Sequence, residues 1–99
     1  MFGTIGHARL KPGRQGQLDA LMDDWRQTVR PRIPGAFLNL IGHTDDHPDA
    51  LVFVALAQDK ATYRALAEMP EQDAWYRRFT EHVEGEVRWK DVEMDSVPT

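Results

Sequence analysis

The chain has 99 residues, a formal net charge of -4 and no cysteine. A chain of this length is expected to form one domain over residues 1–99, and its small core favours association with another copy. The acidic balance argues against a nucleic-acid partner, and the lack of cysteine excludes disulfides and thiolate chemistry. No apolar run approaches the roughly 20 residues that cross a bilayer, and no signal peptide is visible. We therefore expect a cytoplasmic protein without a membrane partner.

The chain begins with a segment that reads as a strand. It runs from Phe2 to Lys11 and is closed by a Pro-Gly turn. If the segment is extended, His7 and Arg9 point to one face, and Ala8 points to the other together with its even-numbered neighbours.

A helix and a hairpin are predicted next. Residues 16–30 carry apolar side chains at helical spacing, and Pro31 follows them. Residues 36–42 and 51–57 are two apolar runs of strand length joined by a polar loop, which is the pattern of a hairpin. In the first run, Asn39 and His43 alternate onto one face, and Leu38 and Leu40 alternate onto the other.

The second half contains a helix, a further helical segment and a strand. Asp59 is a good N-cap for a helix that continues to about residue 68, and Pro70 suits the first turn of the next segment. We expect that segment to end near Gly85, with Trp75, Phe79, His82 and Val83 on one face. Residues 87–94 form the last strand, with a bulge near Lys90 and Asp91.

This order of elements predicts an α+β, ferredoxin-like βαββαβ fold. Its four-stranded antiparallel sheet carries the helices on one face. The chain has no element left to cover the other face, so we expect a homodimer that pairs sheet against sheet.

The hairpin loop holds several side chains that ligate metals elsewhere: His43, Asp45, Asp46, His47 and Asp49. Their spacing is too dense for a recognised site, and residues of these types commonly populate turns. We interpret the segment as a solvated loop and predict no metal site.

Three segments carry a resemblance to a known family. They are Leu10-Lys-Pro-Gly13 before the first helix, Pro31-Arg-Ile-Pro-Gly35 before the second strand, and the Pro70…Trp75…Phe79…His82 pattern before a closing Val-Arg-Trp strand. With these, nearly the whole chain resembles the antibiotic-biosynthesis-monooxygenase-like group of dimeric α/β-barrel proteins, which includes haem-degrading monooxygenases.

The resemblance implies two kinds of chemistry. Haem degraders of this group place a tryptophan and an iron-binding histidine on the second helix, which here would be Trp75 and His82. Their first-strand asparagine is missing, because this chain has His7 and Ala8 there. Cofactor-independent members oxidise polyphenolic substrates with O2, using polar side chains in the barrel to stabilise a substrate anion.

The leading hypothesis is a cofactor-free monooxygenase acting on a small aromatic or polyketide-like substrate. We expect catalytic roles for His82, Asn39 and His7, with His82 as the acid/base group. We expect substrate contacts from a second set: Arg9, Trp75, Phe79 and His43.

Two alternatives are a non-catalytic ligand-binding or structural dimer and a haem-binding or haem-degrading protein. In the first of these, His82 is a locally bonded surface histidine, and Trp75 and Phe79 are core residues. Arg9 would then pair at the rim of the sheet, and Asn39 would bridge buried polar groups.

Overall fold

The computed structural model describes every residue from Met1 to Thr99. Its strands are β1 (Phe2–Leu10), β2 (Phe37–His43), β3 (Ala50–Ala57) and β4 (Val83–Glu93). Its helices are α1 (Gln15–Thr28), α2 (Lys60–Ala67) and α3 (Pro70–Thr80), with a short 3-10 helix over Arg30–Arg32. The strands form one antiparallel sheet in the order β2-β3-β1-β4. The predicted ferredoxin-like α+β fold is confirmed.

Alternation along β1 separates its side chains as predicted. Ala8 and Leu10 belong to the hydrophobic core that lies between the sheet and the helices. His7 and Arg9 are exposed on the opposite face. The helix-covered face of β1 is therefore the one that carries the even-numbered residues.

On the face of the sheet away from the helices, β2 and β3 present an apolar surface that no helix covers. Strand pairing brings Leu40 of β2 beside Val54 of β3, and Val54 beside Ile5 of β1. Leu38 and Leu40 leave 40% and 53% of their surface exposed. We call Ile5, Leu38, Leu40, Val52 and Val54 the open sheet face.

Asp59 caps α2, as the sequence predicts. The backbone N–H of Thr62 donates to Asp59 Oδ1 at 2.8 Å. This bond and a further one from the Thr62 side chain lower the pKa of the Asp59 carboxyl, because both favour its ionised form.

The expected extension of the last helix towards Gly85 is wrong. α3 ends at Thr80, and the N–H of His82 donates to the carbonyl of Phe79 at 3.0 Å. This three-residue spacing tightens the final turn and ends the helix. Val83 is already paired with β1, so long-range strand pairing overrides the local helical periodicity.

The irregularity in β4 lies earlier than predicted. The register is regular at Lys90 and Asp91, and it shifts instead opposite the β1 segment between His7 and Arg9. Gly85, with a φ of 67°, lies in this part of β4 and adopts the left-handed conformation that favours glycine. Gly85 therefore belongs to a β-bulge and does not end a helix.

None of the helices is long and apolar enough to cross a membrane.

Candidate active site

A cavity of about 360 Å³ lies between the helix-covered face of the sheet and the helices. Every strand and every α-helix contributes to its wall, which has four polar and eleven hydrophobic residues. The polar ones are Thr4, Asn39, Gln72 and Asp73. The hydrophobic ones are Met22, Trp25, Phe37, Phe53, Ala55, Tyr63, Leu66, Ala67, Trp75, Tyr76 and Trp89.

All three tryptophans of the chain line this cavity, and the protein itself fixes each indole N–H. Trp25 Nε1 donates to Gln72 Oε1 at 2.7 Å, and Trp75 Nε1 donates to the carbonyl of Leu21 at 2.6 Å. Trp89 Nε1 donates to the hydroxyl of Tyr76 at 2.9 Å, the third such bond. Because these bonds hold the rings in place, the aromatic wall is formed before any ligand arrives.

Gly6 makes room for one of these rings. It faces Trp89 across the β1–β4 pair, and a Cβ atom at Gly6 would lie 2.4 Å from a carbon of the Trp89 ring. The missing side chain therefore lets the indole lie against the sheet. Glycine weakens a strand, but at this position it leaves the space that the Trp89 ring occupies in the cavity wall.

Polar groups lie at two places in the wall. The hydroxyl of Tyr63 donates to Asp91 Oδ1 at 3.1 Å, and burial followed by the Asp91 charge raises the pKa of Tyr63. Asn39 is exposed, so its amide, which can both donate and accept hydrogen bonds, lies where the cavity meets solvent. Apart from the carboxylate of Asp73, the cavity therefore offers neutral hydrogen-bonding groups within an aromatic wall.

Of the seven residues singled out from the sequence, two line the cavity: Asn39 and Trp75. Phe79 is 1% exposed and belongs to the core, where its ring stacks on Trp75 with centroids 5.5 Å apart. His43 is exposed at the end of β2 and does not line the cavity.

The other three lie elsewhere. His82 follows the end of α3, and its Nδ1 lies 2.9 Å from Arg14 Nη1. Since a guanidinium only donates, Nδ1 accepts, which assigns the ring proton of a neutral His82 to Nε2. His7 and Arg9 lie on the other side of the sheet, and Arg9 Nη1 is 2.8 Å from Nε2 of His47 in the hairpin loop. The structure therefore does not bring the predicted polar set together.

The cavity does not suit haem. Its wall contains no histidine to bind the iron and no lysine or arginine to pair with the two propionates. His82, the predicted iron ligand, lies outside the wall and bonds with Arg14. These donor groups do not fit the cofactor.

The sequence pattern does not single out Tyr63, Tyr76, Gln72 or Trp89 as site residues, although all four line the cavity wall. Trp89 and Tyr76 carry one available signal: a large aromatic body with a polar end usually finds a buried partner for that end. Gln72 carried no comparable signal, because its role depends on the position of Trp25 on another helix.

Comparison with solved structures gives the same fold. A protein from Caulobacter crescentus, provisionally named an antibiotic biosynthesis monooxygenase, has a TM-score of 0.82 at 9% identity, covering 96% of this chain and 90% of that one. One from Deinococcus radiodurans with the same provisional name has a TM-score of 0.79 at 13% identity, covering 100% and 97%. A conserved protein from Methanosarcina mazei has a TM-score of 0.79 at 10% identity, covering 93% and 90%.

No family model and no curated protein matches the sequence. The solved structures nevertheless show that the chain has the fold of the antibiotic-biosynthesis-monooxygenase-like proteins. The predicted resemblance is confirmed at the level of the fold.

Proposed function

We propose that this protein is a homodimeric monooxygenase that oxidises a small aromatic or polyketide-like substrate with O2 inside the cavity. The observation that carries the proposal is the preformed aromatic cavity, in which the side chains of three tryptophans are held by hydrogen bonds. The provisional names of the structural neighbours support the same reaction class.

The chemistry follows from an electron-rich substrate such as an anthrone. Loss of a proton gives a carbanion that can reduce O2 directly, so the ring carbon becomes a carbonyl and one oxygen atom leaves as water. Asn39 would donate from its amide to the oxygen that carries the negative charge, and Trp75 would hold one face of the ring. Tyr63 would take the proton from the substrate while passing its own proton to Asp91, which accepts its hydrogen bond and acts as the base.

The proposed assembly is a dimer through the open sheet face of one unit spanning residues 1–99. Leu38, Leu40 and Val54 present an apolar surface that a second copy can cover with the same residues. We also propose a cytoplasmic location, since a chain without cysteine suits a reducing compartment.

One observation favours a second candidate, a non-catalytic binding protein. Among His82, Asn39, His7 and Arg9, which we expected to supply polar groups, only Asn39 lines the cavity. In this alternative the aromatic wall binds a ligand and no reaction follows.

The distinguishing experiment measures O2 consumption with dithranol, an anthrone, in an oxygen electrode. We expect consumption above the rate without protein, with one anthraquinone formed per O2. Asn39→Ala should lower kcat/KM about tenfold or more, because it removes a donor to the substrate anion. Gln27→Ala removes an exposed amide outside the cavity wall and should leave the rate unchanged. An unaltered background rate with dithranol and with a quinol series would reject the oxygenase and favour the binding protein.

A further inference from the structure

We propose that the cavity takes uncharged hydroxylated aromatic molecules and rejects the same ring systems when they carry carboxylate or phosphate groups. This inference names the charge class of the ligand at the proposed oxygenase site, and it rests on that proposal. Under this inference, the cavity binds quinol-type and anthrone-type ligands and excludes carboxylated cofactors and nucleotide cofactors.

The charges at the cavity carry the inference. Its wall has no lysine, arginine or histidine. Its one carboxylate, Asp73, is exposed and pairs with Arg77 at 3.1 Å. A second carboxylate, Asp91, pairs with the wall residue Thr4 across the sheet and accepts the hydrogen bond from Tyr63. An anionic group entering the cavity would lose its water without gaining a cation, and it would approach negative charge.

Two arginines lie in a neighbouring cleft, and both are already engaged. This cleft shares the Trp25 and Phe37 rings with the cavity and adds Arg26 and Arg30. Arg26 pairs with Asp23 at 2.9 Å. Arg30 donates to two backbone carbonyls, those of residues 33 and 35, at 2.9 and 3.0 Å. An anion held by the Trp25 and Phe37 rings would therefore find no free guanidinium in this cleft.

The hydrogen-bonding groups of the wall suit hydroxyl groups. The oxygen of Tyr63 donates its own proton to Asp91, so its lone pairs can accept a hydrogen bond from a ligand O–H. The oxygen of Tyr76 accepts from Trp89, which leaves its own proton free to donate. One phenol-type group can therefore be matched at either tyrosine without any charge.

Two matched probes test the inference: 2,6-dihydroxynaphthalene and 2,6-naphthalenedicarboxylate. Because each probe carries its group at both ends, no orientation keeps both groups in water. Calorimetry gives each Kd, and the three indole N–H signals in a ¹H–¹⁵N spectrum report occupancy, since all three tryptophans line the cavity. We expect the diol to shift these signals saturably, with a Kd at least tenfold lower than that of the dicarboxylate.

A variant with one added cation tests the cause. Asn39→Arg places a guanidinium at the cavity and should tighten dicarboxylate binding about two- to fivefold, the range of an exposed ion pair. Gln27→Arg makes the same change in net charge at an exposed α1 position outside the wall and should leave both Kd values unchanged.

Three results would overturn the inference: equal binding of the two probes, no indole shift with the diol, or equal effects of the two arginine variants. Failure of the oxygenase proposal gives a different result, because the charge preference would then persist without any O2 consumption.

Discussion

Filling the cavity should separate ligand binding from folding. Ala55 lies in the middle of β3, is half-buried and lines the cavity wall. Ala55→Leu adds three carbon atoms at a position that faces about 360 Å³ of empty space. These atoms would occupy the space that a ligand needs, while the strand pairing of Ala55 with β1 and β2 stays intact.

The expected effect on stability is small because two contributions oppose each other. Three buried carbons stabilise the folded state by up to about 2 kcal/mol, at about 0.8 kcal/mol for each. Imperfect fit of the larger side chain costs about 1–3 kcal/mol. The free energy of unfolding should therefore stay within about 1 kcal/mol of wild type, which corresponds to a change in Tm of about 4–8 °C or less.

The assay combines thermal unfolding with calorimetric titration of 2,6-dihydroxynaphthalene. We expect Ala55→Leu to keep its cooperative transition and to lose at least tenfold in affinity. Ala20→Leu adds the same three carbons at an exposed position of α1 and should change neither property. If Ala55→Leu unfolded cooperatively and bound the diol with wild-type affinity, the ligand would lie elsewhere and the cavity would be only a packing defect.

Three further predictions concern ionisation and assembly. Burial, and then the charge of Asp91, raise the pKa of Tyr63 in the folded state. The Tyr63 side chain therefore contributes its full stabilisation below about pH 10, and this contribution is lost as the pH rises through the folded-state pKa. Urea midpoints at pH 9 and 11 should therefore fall less for Tyr63→Phe than for wild type, and equal falls would contradict this origin. The lowered pKa of Asp59 acts on the acid side: its contribution is full above about pH 4 and is lost as the pH falls through the folded-state value. Asp59→Asn keeps a capping side chain without a charge, so its midpoint should depend less on pH below 4, and an unchanged slope would refute the assignment. Leu40→Glu should give a monomer by light scattering at micromolar concentration, whereas Ile41→Glu, on the other face of the same strand, should remain dimeric; a wild-type monomer would refute the dimer.

Much of the fold follows from the sequence because local patterns and long-range pairing agree. Asp59 caps its helix as predicted, and Pro70 begins the next one. The disagreement lies around His82, where helical spacing continues past the true end of α3. Pairing of the following residue, Val83, with β1 decides the boundary there, and no local pattern contains that partner.

The candidate site follows from the sequence only in part. Alternation correctly separates His7 and Arg9 from Ala8, and the apolar side chains mark the covered face. The sequence nevertheless predicts one site that contains His7 and Asn39, although the structure gives them opposite faces of the sheet. Which polar residues meet depends on how the faces of separate strands align, and that is set by register and layer packing.

The fold itself accounts for why the aromatic wall could not be foreseen in full. Trp25, Gln72 and Trp89 come from three separate elements and meet only after the helices pack on the sheet. Their spacing in sequence carries no common period, so each looks like an ordinary core or surface residue when considered alone.

The most direct test of the cavity as the site of reaction compares O2 consumption by wild type, Asn39→Ala and His82→Ala with dithranol. Asn39 lines the cavity, and His82 lies outside it with its ring bound to Arg14. If the cavity is the active site, Asn39→Ala loses about tenfold or more of kcat/KM while His82→Ala keeps the wild-type value. Loss of activity in His82→Ala with full activity in Asn39→Ala would contradict it and would place the chemistry at the end of α3.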